Sequence, residues 1–157
     1  MVRFRKINKD KKRYLSLLLL GDEQEDMIDR YLEQGTMYVL EEKVGEGEPE
    51  ENPAVGVCVV TDEGDGILEL KNMAVAPLFQ KRGYGRMMLR FLSETYAGEY
   101  SFLQAGTGDS PLTVPFYEKC GFRRSHVIEN FFTDHYDHPI YEGGVQLKDM
   151  IYFRKKL

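Results

Sequence analysis

Apolar and polar positions change period several times along the chain, and each period predicts an element. Val2, Phe4 and Ile7 bracket basic residues in near alternation, the pattern of a half-buried strand. Asn8 stands where a side-chain cap suits a helix over residues 9–20, and Gly21 is placed to stop it. Asp22 can cap a second helix whose first turn carries Glu23, Glu25 and Asp26, anions that the helix dipole favours there. Met27, Ile28, Tyr31 and Leu32 share one face of that helix, and Gly35 suits a left-handed stop. Strands are expected over 36–41, 54–61 and 67–75, the last two joined by Asp62-Glu63-Gly64-Asp65-Gly66, a tight turn whose glycines permit positive φ. A long amphipathic helix follows over 83–97, with Met88, Leu89, Leu92 and Tyr96 on one face and Arg86, Arg90, Ser93 and Glu94 on the other. Then come a strand over 100–105, a short helix ending at Cys120, and strands over 122–132 and 145–153. Thr113 is the better cap for the short helix, because Pro115 fits a first turn and would break an internal bond further in. The order is β-α-α-β-β-β-α-β-α-β-β with no repeat or linker, so residues 1–157 are expected to form a single domain.

One strand carries an irregularity. In the segment 67–75 apolar residues occupy positions 68 and 70, then 73 and 75. Side chains alternate faces strictly, so this change of parity predicts a β-bulge near Asn72 to Ala74. A bulge releases main-chain groups from the ladder, and an extended ligand can bind them as another strand would.

Composition narrows the class. The chain has 157 residues, 42% hydrophobic and 30% charged, and its 21 basic and 26 acidic residues give 21 − 26 = −5. That balance argues against nonspecific nucleic-acid binding, which rests on Lys and Arg neutralising phosphates. Two cysteines are too few for a disulfide framework and favour a reducing compartment, with Cys58 set in an apolar run. Basic residues ahead of Tyr14-Leu15-Ser16-Leu17-Leu18-Leu19-Leu20 imitate an export signal, but the apolar stretch is short and no small-residue cleavage site follows. No run approaches the roughly 20 apolar residues that span a bilayer, so a cytoplasmic protein without a membrane partner is expected. Glu41, Glu42, Glu46, Glu48, Glu50 and Glu51 crowd a stretch expected to be a solvated hairpin loop, with a binding role as the alternative.

Locally the charge reverses. Gln80-Lys81-Arg82-Gly83-Tyr84-Gly85 opens the long helix, and Arg86 follows. Glycines let a backbone approach a ligand closely, and the amides at a helix start carry partial positive charge, so this segment suits a pyrophosphate. The plain alternative is a tight strand-to-helix turn with basic decoration. The nucleotide P-loop pattern is absent, and the dinucleotide fingerprint fails because Met88 stands where its third glycine belongs.

Ala74-Val75-Ala76-Pro77 followed by Gln80-Lys81-Arg82-Gly83-Tyr84-Gly85, and further on Phe116-Tyr117-Glu118-Lys119-Cys120-Gly121-Phe122, resembles the GNAT superfamily of acetyl-CoA-dependent N-acetyltransferases. The tail resembles a small bacterial subgroup through Pro139-Ile140-Tyr141-Glu142-Gly143-Gly144 and Asp149-Met150-Ile151. The resemblance implies an α/β (α+β) fold, a mixed and splayed sheet of about seven strands flanked by about four helices. It implies that residues Gln80, Lys81, Arg82, Gly83, Tyr84, Gly85 and Arg86 hold the pyrophosphate of acetyl-CoA through main-chain amides. Met73 and Val75 would pair with the pantetheine arm, and an amide near Ala74 or Val75 would polarise the thioester oxygen. Asp109-Ser110 replaces an Asn frequent in the family, leaving Ser110 as a substitute contact.

Tyr117 matches the position that often protonates the departing thiolate, and a phenol, protonated at neutral pH, suits that task; a core tyrosine is the alternative. Glu69 lies where some members place a catalytic base, with an exposed strand residue as the alternative and water as a substitute base. Phe131, Phe132, Asp134, Tyr136, Asp137, Tyr141 and Glu142 offer aromatic and anionic groups that would bind a cationic amine, the expected small-molecule acceptor; a solvated loop is the alternative. Asp134-His135-Tyr136-Asp137-His138 has metal-ligand residue types, but Pro139 argues against a defined site and no metal is expected. Two rival functions remain at this stage: acetylation of a protein or peptide, which needs an open groove, and an acyl-CoA-binding sensor without catalysis. A homo-oligomer through the apolar positions of Ile151-Tyr152-Phe153 is an open alternative to their pairing within one sheet.

Overall fold

The computed structural model describes residues 1–43 and 52–157. The strands are β1 (Val2–Ile7), β2 (Thr36–Glu42), β3 (Ala54–Asp62), β4 (Ile67–Val75), β5 (Phe102–Gly108), β6 (Arg123–Ile128), β7 (Tyr141–Glu142), β8 (Val145–Gln146) and β9 (Met150–Lys156). The helices are α1 (Leu15–Gly21), α2 (Glu25–Asp29), α3 (Tyr84–Tyr96), α4 (Val114–Lys119) and α5 (Phe131–His135). Seven strands form one mixed sheet in the order β1-β2-β3-β4-β5-β9-β6, and β7 pairs with β8 as a separate hairpin. The expected mixed α/β sheet is therefore present, with five helices among the described residues rather than four.

The chain divides into two compact units, one of Met1–Thr61 with Leu70–Glu94, the other of Asp62–Glu69 with Thr95–Leu157. In the first, Leu18 of α1, Ile28 of α2, and Tyr31 and Leu32 in the turn after α2 bury against Met37, Val39, Val57, Val59 and Ala74 of the strands. Phe4 stacks on Phe91 of α3 with centroids 3.9 Å apart, and Tyr38 meets the same ring edge-on at 5.0 Å. Inside the second, Tyr117 of α4 packs between Phe122 and Phe153, and Phe132, Ile140 and Leu147 form a smaller cluster.

Several expectations need correction. Asn8 caps nothing; Asp10 takes a left-handed conformation (φ 54°), a 3-10 turn covers Lys11–Tyr14, and α1 begins only at Leu15. Gly21 is the last residue of α1 and serves close packing, since a Cβ there would lie 2.1 Å from Asn72 Oδ1. Gly35 acts likewise, with Tyr31 O and Val59 Cγ1 each 2.8 Å from its would-be Cβ. Asp22 does not cap α2; its carboxylate accepts the Tyr31 hydroxyl at 3.1 Å. Glu41, expected in a solvated loop, is 1% exposed and pairs with Arg3 (2.6 Å) and Arg5 (3.2 Å), which the antiparallel β1–β2 register brings to it. The arginines keep part of their surface in water, 38% for Arg3 and 26% for Arg5, while the carboxylate they hold is buried. Glu46, Glu48, Glu50 and Glu51 lie outside the described residues.

β4 also departs from expectation. Its buried series runs through Leu68, Leu70, Asn72 and Ala74, with Glu69 buried as well, while Met73 and Val75 are half-buried. The parity of burial does not switch where that of apolar residues does, because Asn72 takes a core position by hydrogen bonding: its Nδ2 donates to Leu18 O (2.9 Å) and the Tyr31 hydroxyl (3.1 Å). The strand expected over 122–132 stops at Ile128. Asn130 turns left-handed (φ 57°), its amide donates to Asp149 Oδ1 at 2.8 Å, and α5 follows. The strand expected over 145–153 is likewise two elements, β8 and β9. The long helix lies within one residue of its expected ends, and Thr113 precedes α4 as expected; its hydroxyl bonds Thr107 rather than the helix amides.

Candidate active site

The cofactor segment belongs to the first unit and leaves β4 at Val75. Ala76 donates its amide across to Val55 O at 2.7 Å. Main-chain groups two residues apart in a strand point the same way, so those of Ala74 face β3 and those of Met73 and Val75 face the opposite edge. The Val75 carbonyl accepts Gln80 Nε2 at 3.0 Å, and the Gln80 amide is turned back to Pro77 O at 3.4 Å. The Gln80 side chain thus closes the loop onto Val75.

Beyond Gln80 the chain passes through two left-handed residues, Lys81 (φ 64°) and Gly83 (φ 86°). A Cβ on Gly83 would meet nothing within 4 Å, so conformation rather than space requires glycine there. The first α3 bond runs from the Met87 amide to Gly83 O at 3.0 Å. The amides of Tyr84, Gly85 and Arg86 therefore have no carbonyl four residues back within the helix. Lys81, Arg82 and Arg86 are exposed around them, and the Arg82 guanidinium lies 5.5 Å from the Phe79 ring centroid. Three outward amides beside three cations fit a diphosphate.

Glu69 and Tyr117 both belong to the second unit, and the β5–β9 register shows where each acts. Gln104 pairs with Arg154 and Gly106 with Tyr152, so these four share one face, while Phe153 points to the other. Glu69 lies on the first face: it is 5% exposed, not the exposed strand residue of the alternative, and its Oε1 accepts Gln104 Nε2 at 2.5 Å. Tyr117 lies on the second, its ring stacked on Phe153 with centroids 5.9 Å apart. Burial pushes the Tyr117 phenol well above its ordinary pKa, and the charges of Glu142 and Cys120 add to the shift. It holds its proton throughout the physiological range. On the Glu69 face, burial pushes Tyr152 up to about 12, helped by the charges of Glu69 and Glu63.

The expected acceptor residues gather partly on the Glu69 face. A Cβ on Gly108 of β5 would lie 2.6 Å from Leu147 Cδ1, so Leu147 covers that glycine and joins Phe132 and Ile140. Phe131 and Tyr136 pack against this cluster, and Phe132 stacks with Tyr136 at 5.5 Å. An open cavity of about 220 Å³ is lined by Phe132, Tyr136, Asp137, His138 and Ile140 among others. Asp134 and Tyr141 are exposed, and Glu142 sits where its charge reaches Tyr117. Ser110 is 1% exposed and its hydroxyl accepts the Leu112 amide at 3.1 Å, which ties it to the turn before α4. Among the described residues no group of three His, Cys, Asp or Glu is placed to hold a metal ion, and no helix is long and apolar enough to cross a membrane. Gln104, Tyr152 and Arg154 were not singled out by sequence. Their signal is the series Gln104, Gly106 and Gly108, one strand face kept nearly bare of side chains.

An α/β sheet with an amide cradle at the start of α3 defines a protein suited to bind a diphosphate-bearing ligand. Residues 33–124 match the family model described as acetyltransferase (GNAT) domain. The chain is 34% identical over 137 residues to the uncharacterized N-acetyltransferase YvbK of Bacillus subtilis (strain 168), covering 86% of this chain and 83% of that protein. A GNAT family acetyltransferase from Elizabethkingia anophelis, solved with acetyl-CoA bound, superposes with a TM-score of 0.88 at 31% identity, over 99% of this chain and 98% of that one. An IAA acetyltransferase from Bacillus cereus ATCC 14579 gives a TM-score of 0.88 at 33% identity over the whole of both chains. The chain belongs to the GNAT acetyltransferase family. It is an acetyl-CoA-dependent acyltransferase.

Proposed function

We propose that this enzyme acetylates the primary amine of a small cationic molecule by direct attack on the thioester. Bound acetyl-CoA supplies an activated carbonyl and a thiolate leaving group. The amides of Tyr84, Gly85 and Arg86 hold its diphosphate, with Lys81, Arg82 and Arg86 adding positive charge. Met73 and Val75 hold the arm through main-chain groups, and the Val75 amide donates to the developing oxyanion. Glu69 takes a proton from the incoming ammonium, directly or through water, and Tyr117 gives one to the thiolate.

The observation that carries the choice of acceptor is the aromatic and acidic stretch beside the Glu69 face: Phe131, Phe132 and Tyr136 pack together, Asp137 lines the cavity beside them, and Asp134 lies on the same stretch of chain. Aromatic faces and carboxylates attract a cation. A cavity of about 220 Å³ suits an amine of a few carbons better than a peptide segment. Calorimetric titration with acetyl-CoA, then a panel of small amines and amino-terminal peptides followed by thiol release, tests this. Turnover with small cationic amines is the expected result. Release only with peptides would make the protein a peptide acetyltransferase, and tight binding with no release for any amine would make it a non-catalytic acyl-CoA sensor.

A further inference from the structure

We propose that the Tyr152 hydroxyl is a contact for the acceptor, taking a hydrogen bond from its ammonium group on the Glu69 face of the sheet. The inference deepens the proposed acceptor site and rests on the reading of a small cationic amine as its occupant. It starts from a contrast among buried tyrosines. Tyr31, Tyr117 and Tyr152 are each 8% exposed. A phenol buried to that degree ordinarily finds a hydrogen-bond partner. The Tyr31 hydroxyl does, donating to Asp22 Oδ2 and accepting from Asn72 Nδ2, both at 3.1 Å. The hydroxyls of Tyr117 and Tyr152 have no partner among the described residues. Neither is sealed off, because Asn72 Oδ1 is the one fully buried side-chain oxygen or nitrogen left without a partner there. Both hydroxyls therefore open onto space that a ligand can fill. For Tyr117 the proposed occupant is the departing thiolate. Tyr152 precedes Phe153 on β9 and points to the other face, so it requires a different one.

The Tyr152 ring is held, and only its hydroxyl is left over. His126 of β6 stacks flat on it, with centroids 4.6 Å apart and planes 6° from parallel, and the Ser125 hydroxyl bonds Nδ1 of that imidazole at 2.9 Å. On β5, Gly106 stands opposite, and a Cβ there would lie 3.0 Å from Tyr152 Cε1 and 2.9 Å from Met150 Sδ. Glycine leaves the room that the ring takes. Met150, on the same face of β9, packs against the cluster of Phe132, Ile140 and Leu147, so the ring is joined to the aromatic wall of the acceptor cavity.

Burial pushes the Tyr152 phenol up to about 12, and the charges of Glu69 and Glu63 act in the same direction. The group stays a hydroxyl throughout the physiological range, with lone pairs that accept an N–H. The amine is the part of the acceptor that must reach Glu69, and Tyr152 shares that face. A rigid ring with an unpaired oxygen fixes where the nitrogen sits, and does so without any rearrangement of its own.

The test uses the full chain labelled with tyrosine carrying ¹³C at Cζ, with the Tyr152 signal assigned by its loss in Tyr152→Phe. Adding 1,4-diaminobutane to the chain saturated with coenzyme A should move that signal to a plateau. In Tyr152→Phe the ring keeps its contacts with His126 and Gly106, so a role in packing alone predicts unchanged kinetics. Loss of a hydrogen bond from a charged donor should instead raise the KM for 1,4-diaminobutane about tenfold, with kcat held within about twofold and calorimetric acetyl-CoA affinity unchanged. An unmoved signal or an unchanged KM overturns the inference and leaves water as the occupant; thiol release that persists then keeps the acceptor reading standing. A signal that moves with no thiol release keeps the contact and overturns the acceptor reading. Neither movement nor release overturns both.

Discussion

The loop that opens α3 presents main-chain amides, whereas the faces of β5 and β9 present side chains. In the loop, function depends on a conformation: Lys81 and Gly83 at positive φ, Gln80 folded back on Val75, and the amides of Tyr84, Gly85 and Arg86 turned outward. Around β5 and β9, the proposed chemistry depends on register and packing, because the register that sets Gln104 opposite Arg154 also brings Gln104 to Glu69. A main-chain site tolerates changes of side chain but not of φ. The side-chain site should show the reverse, and each expectation below tests one half of that contrast.

The largest effect is expected at Tyr117. Tyr117→Phe keeps the ring contacts with Phe122 and Phe153 and removes the proposed acid, so kcat should fall by roughly 10²-fold or more while calorimetric acetyl-CoA affinity stays at the wild-type value. Wild-type turnover would take Tyr117 out of the chemistry. Next comes Gly83→Val, which forces a β-branched residue to φ 86° at a point where its side chain has room. The strain of about 1–3 kcal/mol should weaken acetyl-CoA binding by roughly 10-fold to 100-fold. Equal binding by the variant would show that the cradle does not need the left-handed turn.

A pH experiment compares buried acids in the two units. Burial pushes the Cys58 thiol up to about 12 from 9.0. The unfolded chain releases that proton first, so this contribution is complete below pH 9 and is lost as pH rises towards 12. The unfolding free energy should fall by about 1.4 kcal/mol per pH unit above 9. Tyr117 adds a loss of the same sign only above pH 10. Chemical denaturation between pH 9 and 10 should show this slope in the parent and a flatter one in Cys58→Ala, and identical slopes would mean the thiol titrates normally in the fold.

Smaller still, Asp134→Asn and Glu142→Gln should each raise the acceptor KM by roughly three- to tenfold with acetyl-CoA binding unaffected, the range of a partly screened ion pair. A cationic acceptor whose KM ignored both changes would have to bind elsewhere. Least affected should be Lys81→Ala, with acetyl-CoA affinity down by about two- to fivefold and the difference vanishing at high salt. A loss larger than that of Gly83→Val would mean that side-chain charge, not the amides, holds the diphosphate.

The same contrast explains how much was legible beforehand. The loop could be read because a left-handed turn needs Gly83 at a fixed distance from the helix it opens, and such spacing is local. Strand β4, helix α3 and the cap position at Thr113 were equally local. Glu41 could not be read, since its neighbours along the chain are acidic and only pairing with β1 supplies Arg3 and Arg5. Asn72 misled the parity of β4 because a polar residue entered the core on the strength of partners at Leu18 and Tyr31. Helix α5 was missed because Asp149, nineteen residues on, holds the Asn130 amide at its start.

By itself the chain determined what depends on neighbours in sequence: the periods of its strands and helices, the positive charge gathered at Lys81, Arg82 and Arg86, and the motifs of an acetyl-CoA-dependent acyltransferase. The tertiary structure alone decided which acids are buried and that Glu69 and Tyr117 lie on opposite faces of the β5–β9 pair. The physical reason is that period and φ preference are properties of short segments, whereas the partners of a buried side chain are whatever the fold brings against it, as β5 brings Gln104 to Glu69.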